Sequence, residues 1–267
     1  MSLDTTFAGS IPAIYQRCLV PLLFADYAEE AARRIAAWGP DDILETAAGT
    51  GVITRALAAA LPQARIVATD LNPGMLETAA SMGTPANVTW RQADALVLPF
   101  DDRAFDVVAC QFGVMFYPDK VRAGREARRV LREGGRYLAI IWDTIERNPV
   151  TAAAERAQAN VFPESPPTFM SRTPFGYANS AAIEDDLREA GFAEVTIETV
   201  VGQSRPISPQ DAAIGLCQGS PMRSEIEAHD PGKLDAATAA AAEAIAALGD
   251  RETVTTPMSA LFVTATR

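Results

Sequence analysis

Short apolar strands and helices alternate along residues 42–142, and this alternation constrains the fold more than any other feature of the chain. The periodicity predicts strands at 42–46, 65–70, 88–94, 105–112 and 136–142. It predicts helices between them at 51–61, 72–83 and 121–135, the last closed by Gly134-Gly135. Strands joined by helices in this order form a parallel sheet that is covered on both faces.

The second half of the chain adds two more strands, at 194–202 and 259–267. With the last strand antiparallel, we expect an α/β, Rossmann-like sheet of seven mostly parallel strands within one domain, 1–267. Two helical insertions, 143–180 and 203–250, follow strands of this sheet. Ligands of open α/β sheets bind beyond the carboxyl ends of the strands, so we expect the insertions to form a lid and a substrate pocket.

The segment "DDILETAAGTGVITRAL" (41–57) reads as a buried strand, a glycine turn and a helix. Gly49 and Gly51 allow a ligand to approach the backbone closely, and the N–H groups at the helix start favour a phosphate or an adenosine-type ligand. Asp70 ends the second strand, where a carboxylate can accept both ribose hydroxyls. The pattern therefore predicts a nucleotide cofactor.

The dinucleotide fingerprint G-x-G-x-x-G separates two cofactor classes. Starting at Gly49 the chain reads G-T-G-V-I-T, so Thr54 stands where the third Gly or an Ala belongs. This departure from the fingerprint argues against an NAD(P)-linked oxidoreductase, which stays an alternative.

Four segments lie in order within residues 40–142: "ETAAGTG" (45–51), "ATDLNPGML" (68–76), "RQADALVLPFDDRAFDVV" (91–108) and "REARRVLREGGRYLAI" (125–140). Together they resemble the class I S-adenosylmethionine (SAM)-dependent methyltransferases, particularly the broad family that includes ubiquinone and menaquinone methyltransferases. The family loop is roughly acid-x-G-x-G-x-G. Here Glu45 replaces the usual Asp, and Ala47 replaces the first Gly.

The resemblance implies a SAM site in which Asp70 holds the ribose, Asp94 accepts from the adenine amino group, and Glu45 lies at the methionine end. The full set of implied cofactor-binding residues is Tyr15, Glu45, Ala47, Gly49, Gly51, Asp70, Leu71, Met75, Asp94, Ala95, Gln111 and Phe112. The methyl group of Ala47 is tolerable in the loop if the backbone there needs no positive φ.

Methyl transfer from SAM is an in-line displacement at the sulfonium methyl, so the protein mainly aligns the acceptor and excludes water. We expect a small, partly apolar acceptor, because the stretch "FGVMFYPD" (112–119) is rich in aromatic and Met side chains. No catalytic base is assigned, and O-, N- and C-methylation are all left open. A non-catalytic SAM-binding regulator is a further alternative, because the loop is altered.

Composition excludes several classes of site. A net charge of −11 with no run of Lys or Arg argues against nucleic-acid binding, and no segment is apolar enough to span a membrane. One His and three scattered Cys, at 18, 110 and 217, predict neither a metal site nor a disulfide framework. Buried free thiols indicate a cytoplasmic protein, and homodimer formation is left open.

Overall fold

The computed structural model describes residues 4, 7, 9–249 and 252–267. Its sheet has seven strands: β1 (Asp42–Glu45), β2 (Arg65–Asp70), β3 (Val88–Gln92), β4 (Phe105–Gln111), β5 (Leu131–Trp142), β6 (Glu194–Gln203) and β7 (Pro257–Thr266). They lie in the order β3-β2-β1-β4-β5-β7-β6. Strands β1 to β5 pair in parallel, whereas β7 is antiparallel to β5. The predicted seven-stranded, mostly parallel sheet with an antiparallel last strand is confirmed.

The helices of the described residues connect these strands. They are α1 (Ile11–Ile14), a π-helical segment (Tyr15–Phe24), α2 (Ala25–Ala36), α3 (Val52–Ala60), α4 (Pro73–Ser81), α5 (Lys120–Val130), α6 (Pro149–Arg156), α7 (Phe169–Arg172), α8 (Ser180–Glu189), α9 (Pro209–Gln218), α10 (Met222–His229) and α11 (Leu234–Ala246). Short 3₁₀ turns lie at Val114–Phe116, Ile145–Arg147, Ala157–Asn160 and Pro231–Lys233. Across the described ranges, no helix combines the length and the apolarity needed to cross a bilayer.

Helix α5 ends earlier than its sequence predicts. The glycine pair at 134–135 was expected to close it, yet the helix ends at Val130 and β5 begins at the next residue. The guanidinium of Arg267 donates from Nη1 to the carbonyls of Arg128 (2.9 Å) and Arg129 (2.8 Å). A cation on the last carbonyls of a helix satisfies them and favours its end, and this cation comes from a distant residue.

The described chain divides into two compact units. The sheet unit comprises Asp26–Trp142, Tyr177–Val200 and Ala260–Arg267. The helical unit comprises the described residues within 1–25, 143–176 and 201–259. Most of both predicted insertions therefore belongs to the helical unit, and their function as a lid stays a prediction.

The core of the sheet unit is centred on β1 and β4. Fully buried apolar side chains occupy Ile43, Leu44, Val108 and Ala109. Adjacent central strands of a parallel sheet are covered on both faces, which explains why they read as almost continuous apolar runs. Burying each large aliphatic side chain contributes about 1.5–3 kcal/mol, so the strand ends of this core are firmly placed.

Candidate functional site

The order of the strands brings three polar residues to neighbouring strand ends. Glu45 ends β1, Asp70 ends β2 and Gln111 ends β4, and β1 lies between the other two strands. All three strands run in the same direction. The carboxyl edge of the sheet therefore presents these side chains around the loop 46–51, as the sequence predicts.

Asp70 holds this loop in place. Its Oδ2 accepts a hydrogen bond from the N–H of Gly49 at 2.8 Å, and its Oδ1 accepts one from the N–H of Asn72 at 2.8 Å. Burial raises the pKa of the carboxyl, while these backbone donors oppose the shift. Oδ1 also accepts from the side-chain amide of Asn72 at 3.5 Å. A carboxylate oxygen has about two acceptor sites, so Oδ2 is the oxygen that keeps one for a further donor.

Glu45 lies beneath the same loop and is only 1% exposed. Its Oε2 accepts a hydrogen bond of 2.5 Å from the hydroxyl of Thr54 on α3. Burial raises the pKa of this carboxyl to about 8, against the opposing effects of the Thr54 hydroxyl and the Arg55 charge. The sequence pattern treats Thr54 only as an obstacle to a dinucleotide, whereas the fold makes it the hydrogen-bond partner of Glu45.

Ala47 adopts a left-handed backbone conformation, with φ of 53°. The expectation that the Ala47 methyl group is tolerable required a backbone without positive φ, and this requirement is not met. An L-residue in the left-handed region loses about 1–2 kcal/mol relative to its preferred conformations. The methyl group also approaches the loop after β4: a Cβ built on Gly113 would lie 2.4 Å from the Cβ of Ala47. The two loops therefore touch at a place where neither has spare room.

Ala47→Gly is expected to raise the free energy of unfolding by about 0.5–1 kcal/mol, because glycine adopts a positive φ without steric cost. Urea unfolding of the purified protein measures the change. Ala48→Gly is the matched control: Ala48 is buried and is not among the residues with positive φ, so this variant should be less stable than the parent. A stability loss for Ala47→Gly as large as that for Ala48→Gly would contradict the assigned strain.

A network of side chains joins the ends of β1 and β4. The hydroxyl of Tyr117 donates to Oγ1 of Thr46 at 3.3 Å and lies 3.3 Å from Sγ of Cys110. Burial raises the pKa of the Tyr117 phenol well above its usual value, so it stays neutral and acts as a hydrogen-bond donor. The sequence gives no sign that the Tyr117 hydroxyl contacts Thr46 and Cys110.

Phe112 also has a left-handed backbone, with φ of 54°, directly after β4. Its ring stacks on Trp142 with centroids 3.8 Å apart and meets Tyr27 edge to face. A bulky residue with positive φ is a clear outlier, and such outliers persist only where the surroundings hold them. The buried ring and its stacked partner supply that support.

The predicted adenine side lies beyond β2 and β3. Asp94 is exposed, and its Oδ1 accepts from the N–H of Leu96 at 2.8 Å. Leu71 is 36% exposed, Ala95 is half-buried, and Met75 is buried within the sheet unit. The exposed Asp94 offers an acceptor, and the exposed Leu71 offers an apolar surface.

Arg129 supports the turn that follows Asp94 and was not singled out by the sequence. Its guanidinium donates to the carbonyls of Leu98 (2.9 Å) and Phe100 (2.8 Å) and to the carboxylates of Glu126 and Asp102. Its position on α5, far from the turn in sequence, explains why local pattern does not reveal it.

Tyr15 belongs to the helical unit. Its ring stacks on Phe24 with centroids 5.1 Å apart and meets Phe7 edge to face. Its predicted contact with the cofactor stays a prediction.

The donor and acceptor chemistry of this edge fits SAM. Glu45 and Asp70 at the ends of β1 and β2, and Asp94 two residues beyond β3, offer carboxyl acceptors. SAM presents an ammonium, two ribose hydroxyls and an adenine amino group. Within the described part of the chain, no group of three His, Cys, Asp or Glu is placed to hold a metal ion.

Comparisons with known proteins place the chain in a family. A family model described as a methyltransferase domain matches residues 43–135. The ubiquinone/menaquinone biosynthesis C-methyltransferase of Bradyrhizobium diazoefficiens is 32% identical over 182 residues, covering 61% of this chain and 70% of that protein. The chain belongs to the class I SAM-dependent methyltransferases. The family membership implied by the sequence resemblance is thereby confirmed.

Other matches show where this similarity stops. An uncharacterized protein of Mycobacterium tuberculosis is 35% identical over 130 residues, covering 44% of this chain and 47% of the relative. The chain thus spans about half the length of the first curated relatives that it matches. Phosphoethanolamine N-methyltransferase 2 of Haemonchus contortus, solved with SAM, superposes with a TM-score of 0.62 at 16% identity, covering 100% of this chain and 60% of that one. At this identity the similarity shows the methyltransferase fold alone.

Proposed function

We propose that this methyltransferase moves a methyl group from SAM to a small, partly apolar molecule. The observation that carries the proposal is the arrangement of Glu45 and Asp70 around a loop whose residues 47, 49 and 51 all have positive φ. That backbone turns the loop tightly over the strand ends, the geometry with which glycine loops bring backbone N–H groups close to a nucleotide.

The proposed cofactor site uses the residues implied by the family. Asp70 would accept from the ribose with the acceptor site of Oδ2 that Gly49 does not use. Asp94 and the N–H of Ala95 would meet the adenine edge, with Leu71 and Met75 against its ring. Glu45 and the backbone of 47–49 would lie at the methionine end. Gln111 and Phe112 would line the methyl-donor side.

In this mechanism the chain orients the reactants and keeps water out. The bound cofactor supplies the methyl group and a sulfonium leaving group. The protein therefore needs an aligned acceptor more than a nucleophile of its own. Tyr117, held neutral by burial, and Asp143, which accepts from the hydroxyl of Ser259 at 2.7 Å, are both engaged within the protein, so neither is assigned as a base.

The acceptor class is inferred from the segment after β4. Phe112, Val114 and Met115 are apolar and buried there, next to Gln111 at the end of the strand. These apolar residues next to a single amide favour an acceptor with an apolar body and one polar reacting group. Three free, buried cysteines support a cytoplasmic location. The net charge of −11, without a run of Lys or Arg, argues against a nucleic-acid acceptor.

SAM and S-adenosylhomocysteine are expected to raise the melting temperature in a thermal-shift assay, whereas NADH is not. A ligand at 100 times its Kd stabilises the native state by about 2.7 kcal/mol. A shift with NADH and none with SAM would favour an oxidoreductase and overturn the proposal. A shift with SAM, followed by no S-adenosylhomocysteine formation across a broad panel of small acceptors, would favour the non-catalytic regulator.

A further inference from the structure

Glu45 is a buried acid whose nearest positive charge, that of Arg55, forms no ion pair with it. Among the described residues it forms no ion pair, and its hydrogen-bond partner is a neutral hydroxyl, that of Thr54. Burying an ionised carboxylate costs several kcal/mol unless charged or multiple donors compensate it. A neutral carboxyl satisfies this site better than a carboxylate does.

The charged and titratable groups around Glu45 come from three elements. Arg55 of α3 favours the ionised carboxyl, while Asp70 of β2 disfavours it. Cys110 of β4 also interacts with Glu45, and burial raises the pKa of that thiol, which keeps it neutral. The Nη2 atom of Arg55 donates to the carbonyl of Thr50 at 2.6 Å, while its buried Nη1 has no hydrogen-bond partner in the described ranges, and burial lowers the pKa of this guanidinium. The balance of these groups leaves the ligand-free carboxyl protonated, consistent with its pKa of about 8.

We propose that binding of the cationic amino-acid end of SAM or S-adenosylhomocysteine beside the loop 46–51 expels a proton from Glu45 into solvent. The inference rests on the proposed cofactor site. An ammonium beside the loop adds a second positive charge to that of Arg55, so the bound state favours the carboxylate. The Glu45 carboxyl becomes a carboxylate, its O–H bond breaks, and the buffer takes up the proton.

The coupling makes the affinity depend on pH. Because ligand and proton compete for the same carboxyl, the association constant for S-adenosylhomocysteine rises by up to about tenfold per pH unit between pH 6 and 8 and then levels off. A cofactor site of this kind loses occupancy when its surroundings become acidic.

Titration calorimetry of S-adenosylhomocysteine at pH 7 in buffers with different ionisation enthalpies, such as phosphate and Tris, counts the released protons. We expect close to one proton per bound ligand. 5′-Methylthioadenosine is the matched probe, because it keeps the nucleoside but lacks the amino-acid end. It should bind without proton release. Equal enthalpies for S-adenosylhomocysteine in all buffers would overturn the inference.

Glu45→Gln identifies the source of the proton, because glutamine preserves an acceptor for Thr54 and cannot titrate. The variant should bind S-adenosylhomocysteine with no proton release and with an affinity that no longer changes between pH 6 and 8. Undiminished proton release from this variant would place the proton elsewhere, for example on Asp70, and overturn the assignment. Absence of S-adenosylhomocysteine binding in the parent protein would instead refute the proposed function.

Discussion

Asp70→Asn is expected to weaken S-adenosylhomocysteine binding by about 10- to 100-fold. A hydrogen bond to a charged group contributes about 1.5–3 kcal/mol, and about 1.4 kcal/mol corresponds to tenfold in affinity. The amide keeps one acceptor for the N–H of Gly49 or of Asn72 but turns a donor toward the other. The variant therefore loses its charge at the proposed ribose site and part of its hold on the loop 46–51. Titration calorimetry measures the change.

The matched control is Asp106→Asn. The Oδ2 atom of Asp106 also accepts from two backbone N–H groups, those of Asp41 (3.0 Å) and Asp42 (2.9 Å), and Oδ1 pairs with Arg132. It lies at the amino end of β4, away from the strand ends that carry the proposed site. Asp106→Asn should lower the free energy of unfolding without changing S-adenosylhomocysteine affinity. An unchanged affinity in Asp70→Asn, or an equal loss in both variants, would contradict the role given to Asp70.

The stability of the ligand-free protein should fall with rising pH because of Glu45. In the folded chain its pKa is raised from 4.5 to about 8. The folded state therefore holds a proton that the unfolded chain releases. The stabilisation is complete below about pH 4.5, decreases between pH 4.5 and 8, and is lost above that range. Within the window, the free energy of unfolding should decrease by about 1.4 kcal/mol per pH unit from this group.

Urea unfolding of the parent protein and of Glu45→Gln at pH 5, 6, 7 and 8 tests this expectation. Burial also raises the pKa of Asp70, which adds a slope of the same sign to both proteins, so the difference between the two isolates Glu45. The parent should lose stability relative to the variant as pH rises. Parallel curves would show that the Glu45 carboxyl does not hold the proton.

The arrangement of the sheet follows closely from the sequence. The hydrophobic periodicity and the Gly and Pro residues between segments predict seven strands. The alternation of strands with helices predicts that the first five are parallel, as they are. Glu45 and Asp70 could be assigned to strand ends because the local apolar pattern shows where each strand stops. The end of α5 could not be predicted. The last carbonyls of this helix accept from Arg267, which follows β7 and is distant from α5 in sequence.

The sequence by itself determined a parallel α/β sheet, an acid at the end of each of two adjacent strands, and a glycine loop between them. These properties depend on residues near one another in the chain. Only the tertiary structure decided that Thr54 is the hydrogen-bond partner of Glu45, that Asp70 clamps Gly49, and that Ala47 has a positive φ. Each of these depends on how β1, β2 and α3 pack around the loop: Asp70 of the neighbouring strand meets Gly49, and burial beneath the loop raises the pKa of Glu45.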